Sequence, residues 1–243
     1  MLILALDTTT RAGSAAVTRD DEVLAVVHGD ATRTHGERLP GELDRALGEA
    51  GVARRALDLL VVASGPGAFT GLRIGLAAMQ GLAMVLELPV IGVSALEAVA
   101  ETLWPSLAGE RHASRIVVWM DAQRGEVFDG RFVAAALTAD LAWNEDGDPS
   151  VGPPAAALAR LPETWRHDTL FAGDGADRYR DDIGAWSAAA PIVAHPAGLA
   201  PALARIGRRR AQQGHAGPPH ALQPLYVRRP DAELERQRRT PSA

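Results

Sequence analysis

Two aspartates close strand-like apolar runs in this chain. Asp7 follows Leu2–Leu6, and Asp121 follows Arg115–Met120. In an open α/β sheet, ligands gather beyond the carboxyl ends of the strands. Two facing carboxylates there have the chemistry to hold a hydrated Mg²⁺ and a nucleotide. Gly65-Pro66-Gly67 comes between an apolar run, Leu57–Ala63, and a helical pattern, where unpaired helix N–H groups attract anions. With Thr8, Thr9, Gly173 and Asp174 these residues outline a candidate nucleotide cleft. A plainer reading stands beside it. The turn after Asp7 is three threonines with no glycine, and that after Asp121 begins Ala122-Gln123-Arg124, both poor phosphate cradles. Thr70 sits where a dinucleotide fingerprint needs its third glycine. On this reading the carboxylates cap their own loops, and the glycines serve turns and close packing.

Composition removes much other chemistry. The 243 residues contain no cysteine, which excludes thiolate catalysis, Cys-ligated zinc and disulfides. All 25 basic residues are arginine, so neither a P-loop lysine nor a Schiff base is available. No pair of the seven histidines has the i, i+4 spacing of a helical metal site, and no serine lies in a GxSxG elbow. The expected set of catalytic and metal residues is therefore empty. A formal charge of -5 argues against autonomous nucleic-acid binding. The N-terminus has no basic leader segment, and Glu87, Pro89 and Glu97 interrupt the most membrane-like stretch. The expected location is cytoplasmic, with no membrane association.

The elements that must position these residues follow from periodicity. Leu2–Leu6, Ser14–Thr18 and Glu22–His28 read as an antiparallel meander. Thr34-His35-Gly36-Glu37 is a capping-box pattern opening a helix that ends at Gly51. Strands at Leu57–Ala63 and Pro89–Val93 flank a long helix, and a helix over Ala95–Leu103 closes the half. A second half opens at Arg115–Met120, and LILALD and IVVWMD form a weak internal repeat. Strands follow at Glu126–Val133, Thr169–Ala172 and Ile192–Ala194, with helices over Ala176–Ile183 and Leu199–Gln213. Leu137–Leu161 reads as loops with a short helix. The arginines at 205 and 208–210 read as a solvated face or an RNA contact. The expected organisation is a first lobe over 1–104, a second, degenerate lobe over 105–230, and a disordered tail over 231–243. The C-terminal helix is expected to fold back on the first lobe.

The long helix is apolar nearly all round. Its polar residues Arg73, Gln80 and Glu87 form one thin stripe, and Gly67, Gly71 and Gly75 recur every fourth residue. Such a helix must be covered on most sides, and its small residues let another backbone come close.

LDTTT at 6–10, HGERLPGEL at 35–43, SGPGAFTGLRIGLAAMQGLA at 64–83, DAQRGEVF at 121–128, GDGA at 173–176 and PLYVR at 224–228 resemble, in order and spacing, the TsaB (YeaZ) family of bacterial tRNA threonylcarbamoyladenosine biosynthesis proteins. The resemblance covers Met1 to about Arg229. It implies an α/β, two-lobed fold of the sugar kinase/Hsp70/actin type, a duplicated ribonuclease H-like unit with mixed sheets. It also implies a non-catalytic scaffold that pairs with the catalytic relative TsaD and is joined by the ATPase TsaE. That complex transfers threonylcarbamoyl from its adenylate to N6 of adenosine 37 of tRNA. ATP and metal are then expected on the partner subunits, with no cofactor on this chain, and the cleft is expected to be vestigial. The expected interface lies on helices 36–50 and 71–87, through Leu39, Leu43, Leu47, Gly71, Leu72, Gly75, Ala78, Met79 and Leu82. The same face would support a homodimer of the isolated chain. The competing readings are a kinase-like ATP-binding protein of the same fold and a stand-alone homodimer.

Overall fold

Alternation within the first strand sets the layers. In β1 (Leu2–Asp7), Leu4 and Leu6 face one side of a sheet, while Ile3 and Ala5 face the other. Both sides are buried, as a continuous apolar run requires. The computed structural model describes residues 1–107, 114–134, 143–193 and 198–228; side chains at 104–107, 143 and 144 are outside that description. The 231–243 tail expectation and Ala194 fall outside the described residues.

The first sheet contains β1, β2 (Ser14–Arg19), β3 (Glu22–His28), β4 (Leu59–Gly65) and β5 (Val90–Ser94), in the order β3-β2-β1-β4-β5. β1–β2 and β2–β3 are antiparallel, whereas β1–β4 and β4–β5 are parallel. The second sheet repeats this wiring. It contains β6 (Arg115–Asp121), β7 (Val127–Ala134), β8 (Trp143–Glu145), β10 (Thr169–Ala172) and β11 (Ile192–Val193), in the order β11-β10-β6-β7-β8. β9 (Ser150–Gly152) pairs with β7. The faint repeat of LILALD and IVVWMD thus corresponds to two copies of one sheet topology.

Helices fill the space around and between the sheets. α1 (His35–Ala50) and α2 (Phe69–Leu86) cover the outer face of the first sheet, forming a core with Leu4, Leu6, Leu60 and Val62. α3 (Ala95–Leu107) and α7 (Ala200–Gln212) lie between the sheets in a shared core that includes Ile3, Val61, Ile116 and Phe132. α4 (Pro154–Ala159), α5 (Asp174–Arg178) and α6 (Arg180–Trp186) cover the far face of the second sheet. The region expected to be loops with a short helix, 137–161, contains such a helix, α4, in its described part, and in addition the short strands β8 and β9. The helix expected over 176–183 is two helices broken at Tyr179.

The α7 arginines, expected as a solvated face or an RNA contact, are partly buried and ion-paired within the chain. Arg205 and Arg209 pair with Glu101 of α3 at 3.3 and 2.8 Å, Arg210 pairs with Glu97 at 2.7 Å, and Arg208 pairs with Asp21. Glu101 is buried, so its pairs with Arg205 and Arg209, with the Arg210–Glu97 pair, tie α7 to α3, while Arg208 reaches the β2–β3 turn.

Candidate functional site

Asp7 is buried, and its carboxylate is satisfied by its own loop. Oδ1 accepts the Thr9 N–H at 2.7 Å and the Thr9 hydroxyl at 2.6 Å, and Oδ2 accepts the Thr10 hydroxyl at 2.9 Å. Short polar side chains bonding two residues ahead favour such turns over a phosphate cradle.

α1 clamps this loop from outside. His35 Nε2 lies 3.1 Å from Thr10 O, and its Nδ1 lies 2.9 Å from the Arg38 guanidinium. The carbonyl can only accept, so Nε2 carries the proton and Nδ1 accepts from Arg38. Burial, reinforced by the Arg38 charge, holds the His35 pKa below its ordinary value. Arg38, itself buried, donates to Ala12 O at 2.5 Å, to Arg11 O at 3.2 Å and to Glu42 Oε1 at 2.5 Å. Sequence reasoning read His35 and Glu37 as organisers of a helix start and missed Arg38. The available signal was the Arg38–Glu42 spacing of four on an otherwise apolar helix face. Glu37 does accept the Thr34 N–H at 2.9 Å.

The glycine row packs on the same loop from below. A β-carbon on Gly67 would fall 2.5 Å from Thr9 Cβ, one on Gly71 would fall 2.5 Å from Thr8 O, and one on Gly75 would overlap Thr8 Oγ1. The row that was expected to meet a partner is therefore filled by this subunit's own β1–β2 loop. Six of the nine expected interface residues, Leu39, Leu47, Gly71, Leu72, Gly75 and Met79, are buried inside the subunit. Leu43, Ala78 and Leu82 lie half-buried at its rim.

Asp121 is likewise engaged in its own lobe. Its carboxylate accepts from Gln123 N at 3.0 Å, Gln123 Nε2 at 2.7 Å and Arg178 Nη1 at 2.8 Å. Asp174 accepts the Asp121 and Gly175 N–H groups at 3.0 and 2.9 Å, while Gly173, at φ 103°, presses on Trp119 O. Gly65 faces the C-terminal segment, with Leu225 O 2.6 Å from where its β-carbon would lie. The cleft residues thus share the carboxyl ends of the strands, but in two self-satisfied groups. Among the described residues no three His, Asp or Glu side chains cluster as metal ligands.

Among the described residues, exposed large hydrophobic side chains gather on the outward side of α2. Phe69, Arg73, Ala77, Gly81, Met84 and Val85 follow one another at helical spacing, with Met84 70% and Val85 81% exposed. By length and composition α2 could cross a membrane, but its inner face belongs to the core. Two residues of the thin polar stripe, Arg73 and Gln80, seat the C-terminal segment. Gln80 Nε2 donates to Pro219 O and Leu222 O, and Arg73 Nε donates to the Tyr226 hydroxyl at 2.9 Å.

Comparison with known proteins agrees with this architecture. Residues 22–200 match the family model described as TsaD, tRNA N6-adenosine threonylcarbamoyltransferase. An uncharacterised protein of Mycobacterium tuberculosis is 35% identical over 95% of this chain and 93% of its own length. The tRNA threonylcarbamoyladenosine biosynthesis protein TsaB of Haemophilus influenzae is 34% identical over 66% of this chain and 68% of its own. The solved structure of YeaZ from Pseudomonas aeruginosa superposes with a TM-score of 0.73 at 30% identity, covering 93% of this chain and 99% of that one.

Proposed function

The chain belongs to the TsaB (YeaZ) family, and we propose that it acts in tRNA threonylcarbamoyladenosine synthesis as a non-catalytic subunit that docks on the catalytic relative TsaD. The observation carrying this reading is the contrast between two surfaces. The carboxylates that could serve chemistry are consumed by their own loops, while α2 presents a row of exposed apolar and small residues to solvent. An exposed apolar patch of this kind marks an interaction site. Gly36 of α1 lies beside Ile74 of α2, and Pro40 of α1 is also exposed, which supports including α1 in the docking face.

Within this reading the threonylcarbamoyl transfer, its ATP and any metal belong to the partner subunits. The ATPase TsaE and the tRNA are met through the assembled complex, in the cytoplasm. In the absence of TsaD the same face supports a weaker homodimer, since two copies bring matching apolar rows together. Size-exclusion of the purified chain with and without TsaD tests the reading. A 1:1 co-eluting complex supports it, and independent elution at micromolar concentration contradicts it.

A further inference from the structure

The C-terminal segment Leu222–Arg228 crosses from one lobe to the other at the carboxyl ends of the strands. On the first lobe its Leu225 N–H donates to Ser64 O at 2.6 Å, against Gly65, whose φ of 119° and missing β-carbon admit the close approach. In its middle, Tyr226 stacks on Phe69 with ring centroids 5.6 Å apart and accepts the bond from Arg73, whose guanidinium lies 3.9 Å over Phe69. At the second lobe Arg228 donates to Ala122 O at 2.7 Å, pairs with Glu126 and lies over the Phe128 ring.

The segment therefore joins two features. One is the exposed end of α2, where Phe69 and Tyr226 are each 40% exposed. The other is the β6–β7 loop, whose Gln123, Arg124 and Gly125 have successive φ values of 60°, 58° and 79°. Two consecutive non-glycine residues in the left-handed region need surrounding contacts to hold them. Arg228 grips this loop at both ends, at Ala122 and at Glu126. We propose that the strap Leu222–Arg228 couples the α2 face to the β6–β7 loop, so that a protein docking over Phe69 and Tyr226 sets the order of that loop in the other lobe. The identity of the docking protein rests on the function proposed above, whereas the coupling itself is a property of the free chain.

Amide hydrogen exchange on the full-length protein tests it, read at Leu225, Ala122 and Glu126. Arg228→Ala, which cuts the second-lobe end, should speed exchange at Ala122 and Glu126 about tenfold. The deciding variant is Tyr226→Ala, which removes the ring and hydroxyl held by Phe69 and Arg73 of the first lobe. It should speed exchange at Ala122 and Glu126 at least threefold, with an unchanged melting temperature. Should it fail to fold, Tyr226→Phe removes the Arg73 bond alone and should act in the same direction. Acceleration confined to Leu225 and residues 64–73 would overturn the coupling. With TsaD added, a co-eluting complex should slow exchange at Ala122 and Glu126. A complex that leaves these amides unchanged also overturns the coupling, whereas absence of any complex counts against the docking partner alone.

Discussion

Gly75 of α2 lies directly against the hydroxyl of Thr8, so close that a β-carbon at position 75 would overlap Thr8 Oγ1. Both residues are buried, and the Thr8 hydroxyl has no hydrogen-bond partner. The glycine row thus fixes the β1–β2 loop from within the subunit. Gly75→Ala should destabilise the fold by about 1–3 kcal/mol through overpacking. Thr8→Ala in the same chain removes the clashing atoms and should recover most of that loss, a coupling that a double-mutant cycle measures. Additive effects would show that the two side chains do not meet.

The His35 clamp makes a prediction about pH. Its pKa is lowered in the folded state, so the unfolded chain binds the proton more readily. The contribution of neutral His35 to stability is therefore fully present above about pH 6.5 and drains as pH falls toward the lowered folded value. Chemical denaturation between pH 7.5 and 5 should show this loss. His35→Gln keeps an N–H for Thr10 O without titrating and should flatten the curve. Parallel curves for the two proteins would refute the assignment.

Much of this was legible in the sequence. The order β-β-β-α-β-α-β-α, the helix opening at Thr34 and its stop at Gly51 came from apolar period and cap residues, which act locally. The glycine spacing announced a close approach but could not say to what, because a glycine row fits its own loop or a partner equally well. The C-terminal strap has no periodicity and is held by backbone hydrogen bonds, the stacked Tyr226 ring and the long-range pairs of Arg73 with Tyr226 and Arg228 with Glu126. Its seat on Gln80 and Arg73 was therefore invisible, and those residues read only as part of a thin polar stripe. Arg38 was hidden because a charge beside an apolar helix face normally points outward.

Asp7 should act structurally and not catalytically. Asp7→Ala leaves the Thr9 N–H and two hydroxyls without an acceptor in a buried loop, at about 1–3 kcal/mol of stability. The pure wild-type chain should show no ATP turnover above a no-enzyme control. Stoichiometric turnover that Asp7→Ala abolishes in a still-folded protein would contradict this.

The capping of α1 is checked by Glu37→Ala. Removing the carboxylate that accepts the Thr34 N–H should lower the melting temperature while leaving partner binding unchanged, since Glu37 serves the helix start. A loss of binding with unaltered melting would place Glu37 in the interface instead.

The docking face on α2 is tested most directly by titrating TsaD into the double variant Ala77→Glu/Val85→Glu. Both residues are exposed in the isolated chain, so melting should stay within a few degrees of wild type. Two charges introduced into an apolar contact should weaken binding by about thirtyfold or more. A variant that melts normally and binds TsaD with wild-type affinity would show that the partner docks elsewhere.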